Sequence, residues 1–220
     1  MTQLQTTAQQ TERSAFRDGM RFVRRFLTSP GSVGAILPSS RYLAHAMVRD
    51  LHLEPGDLVV EYGPGTGPMT EALQKHGIRN RGVRYLGIEL DPKFHRALSH
   101  RFADMDFHLG SVENVEEILA DRRLGKAKAI ISGLPFASLP RDIQSGVVDG
   151  TYNVLRDDGE FRTFQYVLAY KLKAAQRFRA MMETRFHGFS RSEPVLRNVP
   201  PAYVLSYSMN AGASRNGHAR

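Results

Sequence analysis

The feature that most constrains this chain is a glycine-rich turn that directly follows an apolar run. Residues 59–67 read Val-Val-Glu-Tyr-Gly-Pro-Gly-Thr-Gly, with three evenly spaced glycines between a strand-like segment and a helix-like one. Glycine permits a tight turn and lets a ligand lie close to the backbone. A glycine motif alone is weak evidence, but its place after the first strand of a β/α pattern favours a nucleotide-type cofactor site.

The rest of the chain alternates between strand-like and helix-like segments. Strands are predicted at residues 57–62, 83–90, 106–109, 127–132, 160–168, 186–191 and 202–208, with helices between most of them. This alternation predicts a Rossmann-like α/β fold built on a mostly parallel, seven-stranded sheet. A proline-containing loop, rather than a helix, separates the last two strands. We therefore expect a closing antiparallel hairpin.

The segments outside this pattern are short. Residues 1–12 are polar and predicted to be disordered, 13–53 to form N-terminal amphipathic and capping helices, 54–209 the α/β domain and 210–220 a flexible tail. A helix is predicted over residues 41–51, where a serine of the preceding Pro-Ser-Ser can cap its start. In residues 13–27 the apolar positions recur at helical spacing beside several arginines. This stripe is typical of a helix that packs on its own domain. A basic amphipathic helix is also typical of an interfacial enzyme, as an anchor or a movable lid.

Composition narrows the class of protein. The 220 residues are 41% hydrophobic, include no cysteine and carry a net charge of +8. No metal-ligand spacing of histidines or cysteines is present, so no metal is expected. The N-terminus has no apolar signal region, which predicts a cytoplasmic protein. The positive charge favours nucleic acid or acidic lipid headgroups as partners, although a basic enzyme with a small substrate fits equally well.

A second acidic position supports the cofactor interpretation. Glu89 ends the run Tyr-Leu-Gly-Ile-Glu, roughly 20 positions after the glycine turn, where a carboxylate can accept both hydroxyls of a ribose. A nicotinamide dehydrogenase would use the same two features. Its glycines, however, follow the spacing Gly-x-Gly-x-x-Gly, whereas here they are evenly spaced and preceded by Glu61. An acidic residue before the turn suits a cofactor with a cationic amino group, such as S-adenosylmethionine.

Several motifs together resemble a known family. Residues 61–67 (Glu-Tyr-Gly-Pro-Gly-Thr-Gly), 87–92 (Gly-Ile-Glu-Leu-Asp-Pro) and 133–136 (Gly-Leu-Pro-Phe) are similar to those of class I methyltransferases that use S-adenosylmethionine. Within that class, residues 34–41 and 194–202 resemble the bacterial phospholipid N-methyltransferases that act on phosphatidylethanolamine.

The resemblance implies a set of site residues. Glu61 and the turn would hold the methionine end of the cofactor, Glu89 the ribose, and Ser111 with Val112 the adenine. The full implied cofactor set is Glu61, Gly63, Pro64, Gly65, Thr66, Gly67, Glu89, Leu90, Ser111, Val112, Ser132, Gly133 and Leu134. The acceptor side is predicted to comprise Tyr42, Pro135, Phe136, Tyr166, His187, Arg191 and Arg197. Of these, Tyr42, Phe136, Tyr166 and His187 are the catalytic candidates, and the two arginines are phosphate-binding candidates.

The loop at residues 132–136 bears on the substrate. The ribosomal RNA adenine dimethyltransferases carry Asn-Leu/Ile-Pro-Tyr/Phe at this place, and their asparagine accepts hydrogen bonds from the target amine. Gly133 offers no side-chain acceptor for an adenine amino group. The resemblance therefore implies an aromatic wall at Phe136 without the residue that recognises adenine. For Phe136, core packing is the alternative interpretation.

The sequence therefore predicts a peripheral enzyme on the inner face of the cell membrane. It would methylate phosphatidylethanolamine, and then its mono- and dimethyl forms, while bound to anionic lipid through the N-terminal helix. The alternatives are another aminolipid, such as an ornithine lipid, as substrate, or an RNA or protein methyltransferase. Nucleic acid is the less favoured partner.

Overall fold

The computed structural model describes residues 40–136 and 139–210 of the chain. The helices are α1 (Arg41–Val48), α2 (Pro68–Lys75), α3 (Pro92–Arg101), α4 (Val115–Asp121), α5 (Arg141–Val154) and α6 (Lys173–Glu183). The strands are β1 (Leu58–Tyr62), β2 (Arg84–Glu89), β3 (Phe107–Leu109), β4 (Ala127–Ser132), β5 (Leu155–Tyr166), β6 (Gly188–Arg191) and β7 (Ala202–Ser208). The predicted amphipathic helix at 13–27 and the predicted tail at 211–220 lie outside the described residues.

All seven strands belong to one sheet, in the order β3-β2-β1-β4-β5-β7-β6. The first five are parallel, and β7 pairs antiparallel with both β5 and β6. This arrangement confirms the predicted Rossmann-like sheet and its closing antiparallel hairpin. The strand order reverses direction at β1, which has β2 on one side and β4 on the other. In open α/β sheets a crevice for ligands forms outside the carboxyl ends of the strands at such a reversal.

Helices cover both faces of the sheet. Alternate residues of each strand point to opposite faces and so belong to two different hydrophobic cores. Val60 and Tyr62 of β1 lie in the core formed with α4, α5 and α6, whereas Val59 lies in the core formed with α1, α2 and α3. Every residue of β1 is buried. A parallel strand covered on both faces needs a continuous apolar run, and residues 58–60 supply one.

A buried arginine anchors α1 to the sheet. Ser40 caps the start of this helix by accepting a hydrogen bond from the backbone N–H of Leu43 at 3.2 Å, which confirms the predicted serine cap. At the other end, Arg162 of β5 donates to the carbonyl oxygens of Met47, Arg49 and Asp50. Its guanidinium also pairs with Glu160 at 2.8 Å. These bonds satisfy carbonyl groups that a helix end otherwise leaves without partners.

Among the described residues, no helix combines the length and apolar character needed to cross a bilayer.

Replacement of Arg162 tests this anchor. We expect Arg162→Met to lower the free energy of unfolding by roughly 3 kcal/mol, because it leaves buried carbonyls and the Glu160 carboxylate without their donor. The matched control is Arg84→Met, since Arg84 is exposed and donates only to the Gly56 carbonyl. This change should cost less than about 1 kcal/mol. Urea denaturation followed by circular dichroism measures both. Equal losses would show that the bonds to α1 add nothing.

Candidate active site at the carboxyl edge of the sheet

Two loops meet at the carboxyl edge between β1 and β4. Tyr62 and Ser132, the last residues of these strands, are paired in the sheet. The backbone N–H of Gly133 donates to the Tyr62 carbonyl at 2.9 Å. This contact brings the glycine turn at 63–67 beside the loop at 132–136, as the predicted cofactor and acceptor loops require.

The glycine turn adopts a backbone that other residues rarely accept. Gly63, Gly65 and Gly67 have φ angles of 62°, 60° and 83°. Gly67 caps α2, and no side chain caps this helix end. The first N–H groups of a helix favour a negatively charged ligand group such as a carboxylate. Within the turn Pro64 is buried and Thr66 is exposed, with its carbonyl bound by Arg101 at 3.1 Å.

Glu89 lies at the tip of β2 and ties the turn to the next helix. One carboxylate oxygen accepts a hydrogen bond from the Gly65 N–H and the other from the Asp91 N–H, both at 2.9 Å. Burial raises the pKa of Glu89 above its ordinary value, while these backbone bonds act in the opposite direction. Each carboxylate oxygen has a second lone pair, so both can accept a ribose hydroxyl as well. Leu90, which follows, is partly buried.

The structure places Glu61 beneath the turn. Its Oε2 accepts from the hydroxyls of Thr70, at 2.8 Å, and Tyr85, at 2.7 Å, and the residue is 1% exposed. Burial raises the pKa of Glu61 to about 7, against the lowering effect of these two hydrogen bonds. Oε2 joins α2 to β2 and so braces the turn, and the predicted contact of Glu61 with the cationic amino group of the cofactor stays a prediction. Thr70 and Tyr85 gave no signal in the sequence, since their meeting depends on strand pairing.

Ser111 and Val112 lie just after β3, where adenine binding is predicted. The Ser111 hydroxyl accepts from the Glu113 N–H at 3.3 Å and lies 3.1 Å from its carboxylate, as the cap of the turn Val112–Asn114. Glu113 is partly exposed. The adenine role of this pair stays a prediction, with Glu113 the nearby carboxylate that can accept from an amino group.

The loop after β4 is held from below by a buried glutamine. Gln144 of α5 donates to the carbonyls of Phe136, at 2.6 Å, and Leu139, at 3.0 Å. Ser132 is buried and accepts from the Leu134 N–H, whereas Gly133 and Pro135 are partly exposed. Gln144 positions this loop, and the sequence pattern gave no indication of it.

Gly133 is required by the close approach of the two loops. A Cβ atom at this position would lie 2.9 Å from the Gly63 carbonyl oxygen, which is closer than such contacts normally come. The glycine therefore has a structural reason that does not depend on the substrate. An asparagine here would disturb the cofactor turn before it could act on any acceptor.

The predicted role of Phe136 needs correction. Its ring is 3% exposed, stacks on Phe178 of α6 at 4.8 Å and meets Phe161 of β5 edge-on at 5.7 Å. The ring packs in the core and forms no wall of an acceptor opening. The tight loop causes this placement, because it turns the side chain under the sheet towards α6.

The prediction for His187 is also wrong. This residue precedes β6, whose first residue, Gly188, pairs with Ser208, and Ser208 pairs with Glu160 in the first half of β5. His187 is therefore exposed at the opposite edge of the sheet from the glycine turn. The reason is strand direction, since β6 runs parallel to β5 and therefore begins at the amino edge of the sheet.

Two predicted tyrosines do lie at the carboxyl edge. Tyr166 ends β5, and burial raises its pKa to about 12, so the phenol stays protonated near neutral pH. Tyr42 lies in the first turn of α1, next to the Ser40 N–H that binds the side chain of Asn198 at 2.9 Å. A hydrogen bond from Arg41, supported by the charges of Arg41 and Arg197, lowers the pKa of Tyr42.

The two predicted arginines do not form one group. The guanidinium of Arg197 lies 5.1 Å from the ring centre of Tyr42, on the α1 side of the sheet. Arg191 instead lies over Tyr203 at 4.6 Å and Tyr170 at 5.1 Å, which pack with the other core. Only Arg197 therefore joins a predicted acceptor residue, and Arg191 is removed from the predicted phosphate pair.

The described residues suit S-adenosylmethionine. The left-handed glycines open the backbone of the turn, the uncapped end of α2 offers N–H groups to a carboxylate, and Glu89 offers acceptors to a ribose. No group of three or more potential metal ligands occurs in the part of the chain that the structure describes.

Removal of Glu89 tests the ribose assignment. We expect Glu89→Ala to weaken the binding of S-adenosylhomocysteine at least tenfold, or about 1.5–3 kcal/mol, because it removes charged acceptors and loosens Gly65. The control Glu117→Ala removes an exposed carboxylate from α4 and should leave the affinity unchanged. Isothermal titration calorimetry measures both. Unchanged affinity in a folded Glu89→Ala protein would remove Glu89 from the site.

The raised pKa of Glu61 predicts a pH-dependent stability. Its folded pKa of about 7 lies above the ordinary value of 4.5, so the folded state binds the extra proton. The contribution of this group to the free energy of unfolding is fully present below pH 4.5. About 3 kcal/mol of it is lost as pH rises through 7. Glu61→Gln mimics the protonated form, so the stability of this variant relative to the wild type should increase between pH 5 and pH 8. Urea unfolding across that range measures the gap, and a constant difference would contradict the assignment.

Comparison with known proteins identifies the family. No protein-family profile matches the chain. It is 32% identical over 148 residues to an ornithine lipid N-methyltransferase from Singulisphaera acidiphila, an alignment that covers 66% of this chain and 76% of the relative.

Solved structures share the fold at low sequence identity. Fibrillarin from Aeropyrum pernix, with S-adenosylmethionine bound, superposes with a TM-score of 0.57 at 16% identity, over 76% of this chain and 75% of its own. Magnesium protoporphyrin IX methyltransferase from Synechocystis, also with the cofactor bound, gives 0.57 at 15% identity over 76% of each chain. With the similarity over most of a curated relative, the chain belongs to the family of class I S-adenosylmethionine-dependent methyltransferases that includes the ornithine lipid N-methyltransferase of Singulisphaera acidiphila.

Proposed function

We propose that this enzyme methylates the amino group of a membrane aminolipid. The observation that carries the proposal is the 32% identity to an ornithine lipid N-methyltransferase. The ornithine lipid is therefore the first headgroup to test. Phosphatidylethanolamine, with its mono- and dimethyl forms, is the headgroup that the sequence motifs predict. Both lipids place an amine near an acidic group, a carboxylate in one and a phosphate in the other.

The acceptor side chains fit such a headgroup. Arg41 and Arg197 both lie over the Tyr42 ring, at 4.9 and 5.1 Å from its centre, and can attract an acidic group. The bound cofactor supplies an activated methyl group on its sulfonium. Gly133 and Pro135 are partly exposed at the loop beside the cofactor turn, where the amine would approach.

The amine must arrive without its proton. A primary ammonium has a reference pKa of about 10.4, by analogy with lysine, so desolvation at the site has to favour the neutral form. With a pKa of about 12, Tyr166 is a neutral phenol at physiological pH. It can orient the nitrogen by a hydrogen bond and does not serve as a phenolate base. Aromatic rings such as Tyr42 can also stabilise the increasingly cationic methylated products.

The RNA alternative receives less support. An adenine acceptor needs a side-chain oxygen at position 133, and the Gly63 carbonyl oxygen lies only 2.9 Å from the place where the Cβ of such a side chain would stand. Changing the residue would disturb the cofactor turn, so the choice between lipid and RNA has to be tested with substrates.

The proposed location follows from the substrate. An aminolipid enzyme works at a membrane surface, and the amphipathic residues 13–27 are predicted to bind the anionic inner face of the cell membrane. These residues lie outside the described part of the chain. The net charge of +8 supports attraction to anionic lipid.

Labelling experiments test the substrate. With methyl-labelled cofactor, we expect label in vesicles that contain ornithine lipid or phosphatidylethanolamine, and none in phosphatidylcholine vesicles or undermethylated ribosomal RNA. Arg197→Gln should raise the KM for lipid about fivefold through the loss of one partly screened ion pair, with unchanged affinity for S-adenosylhomocysteine. The control Arg96→Gln, an exposed residue of α3, should alter neither. Label in RNA and none in either lipid would overturn the proposal.

A further inference from the structure

Four large apolar side chains project into solvent from two neighbouring segments. Leu168 is 83% exposed and Leu172 59%, in the turn between β5 and α6. Leu196 is 71% exposed and Val199 64%, in the loop between β6 and β7. We call residues 167–173 and 192–201 the edge segments. Exposed leucines that lie singly are ordinary, but a group of them at one place marks an interaction surface.

The edge segments are joined to each other and to the acceptor side of the sheet. The Val167 N–H donates to the Pro201 carbonyl at 2.9 Å. Tyr166 pairs with Ala202, so both segments leave the sheet at the carboxyl edge, where β5 ends and β7 begins. Arg197 in the second segment contacts Tyr42. The apolar side chains therefore stand at the same edge as the proposed acceptor site.

The charge around these side chains is strongly positive. Residues 167–179 include Lys171, Lys173, Arg177 and Arg179 and no acidic residue. The second segment adds Arg197, and Glu193 is its single acidic residue. Exposed leucines that alternate with lysines match the boundary of an anionic bilayer, where apolar side chains enter the acyl region and cations meet the headgroups. A protein partner would need complementary acidic side chains, and nothing in this pattern selects for one.

We infer that the edge segments dock the enzyme on an anionic bilayer, with Leu168, Leu172, Leu196 and Val199 inserted below the headgroups. This inference rests on the proposed function, because a lipid amine must reach the carboxyl edge without leaving the membrane. It adds a second contact surface to the predicted N-terminal helix and orients the enzyme, with the acceptor edge towards the bilayer.

Tryptophan fluorescence tests the insertion directly, since the chain contains no tryptophan. Leu168→Trp and Leu196→Trp are made separately in the full chain and mixed with vesicles of equal parts phosphatidylcholine and phosphatidylglycerol. Each should show a blue-shifted emission and quenching by brominated acyl chains. The matched control is Phe189→Trp, which is 37% exposed on β6 near the opposite edge of the sheet. It should show neither effect.

Vesicle binding gives a second, independent measurement. The double change Leu196→Ser with Val199→Ser should weaken partitioning of the enzyme onto vesicles about tenfold, since two apolar side chains that would be partly buried in the bilayer are lost. Lys171→Ala with Lys173→Ala should lower the affinity for anionic vesicles about fivefold per charge. The affinity for pure phosphatidylcholine vesicles should change little. Methylation of a dispersed short-chain aminolipid should be unchanged in the serine variant, and methylation of vesicles should fall with binding.

The outcomes separate docking from substrate. Blue-shifted tryptophans with no label in any aminolipid would keep the docking surface and reject the proposed function. Label in short-chain lipid, with emission from positions 168 and 196 unchanged on vesicles, would keep the function and overturn the docking surface. Vesicle binding that depends on residues 1–39 alone, with the serine variant unaffected, would overturn it as well.

Discussion

The double pairing of β1 is the constraint on which the rest of this structure depends. Leu58–Tyr62 form hydrogen bonds with β2 on one side and β4 on the other, and all five residues are buried. Because the strand order reverses here, the chain leaves β1 and β4 towards helices on opposite faces, and the crevice for a ligand lies outside the carboxyl ends of these strands. The glycine turn, the tip of β2 and the loop at 132–136 all take their positions from this one strand.

Buried acidic groups then give the crevice its shape. Glu89 holds the turn through the Gly65 N–H, and Glu61 holds it from beneath through Thr70 and Tyr85. Burial disfavours the charged form of a carboxylate, and hydrogen bonds offset part of that cost. Hydroxyl donors leave the pKa of Glu61 near 7. The two acids therefore have distinct tasks, one directed to the backbone of the turn and the other to its support.

The acceptor side is built from parts of the chain that are far apart in sequence. Asn198 binds the Ser40 N–H, Arg197 lies on Tyr42 and Val167 binds Pro201, so α1 and both edge segments meet at the end of β5. The strand β6 makes this possible, because it returns the chain to the carboxyl edge, where residues 192–201 lead into the antiparallel β7 at Ala202. The same return places exposed apolar and basic side chains around the proposed entry for a lipid.

The sequence by itself determined the features that depend on local chemistry. The strands Ala127–Ser132 and Ala202–Ser208, the glycine turn, the serine cap and Glu89 at a strand tip follow from alternation, glycine spacing and capping. It placed the start of β5 at Glu160, whereas the strand begins at Leu155. The run Asp157-Asp158-Gly159 is typical of a turn, and the register of β5 against β4 shifts between Leu155 and Glu160, so this run forms an irregularity within the strand.

Only the tertiary structure decided which predicted residues share a site. His187 lies at the opposite edge because it precedes β6, which runs parallel to β5 and so begins at the amino edge. Arg191 and Arg197 contact tyrosines of different layers. Phe136 packs into the core because a tight loop turns it towards Phe178. Strand direction, face and loop angle are set by pairing between distant segments. A reading along the chain supplies the residues of a site and leaves their arrangement to the fold.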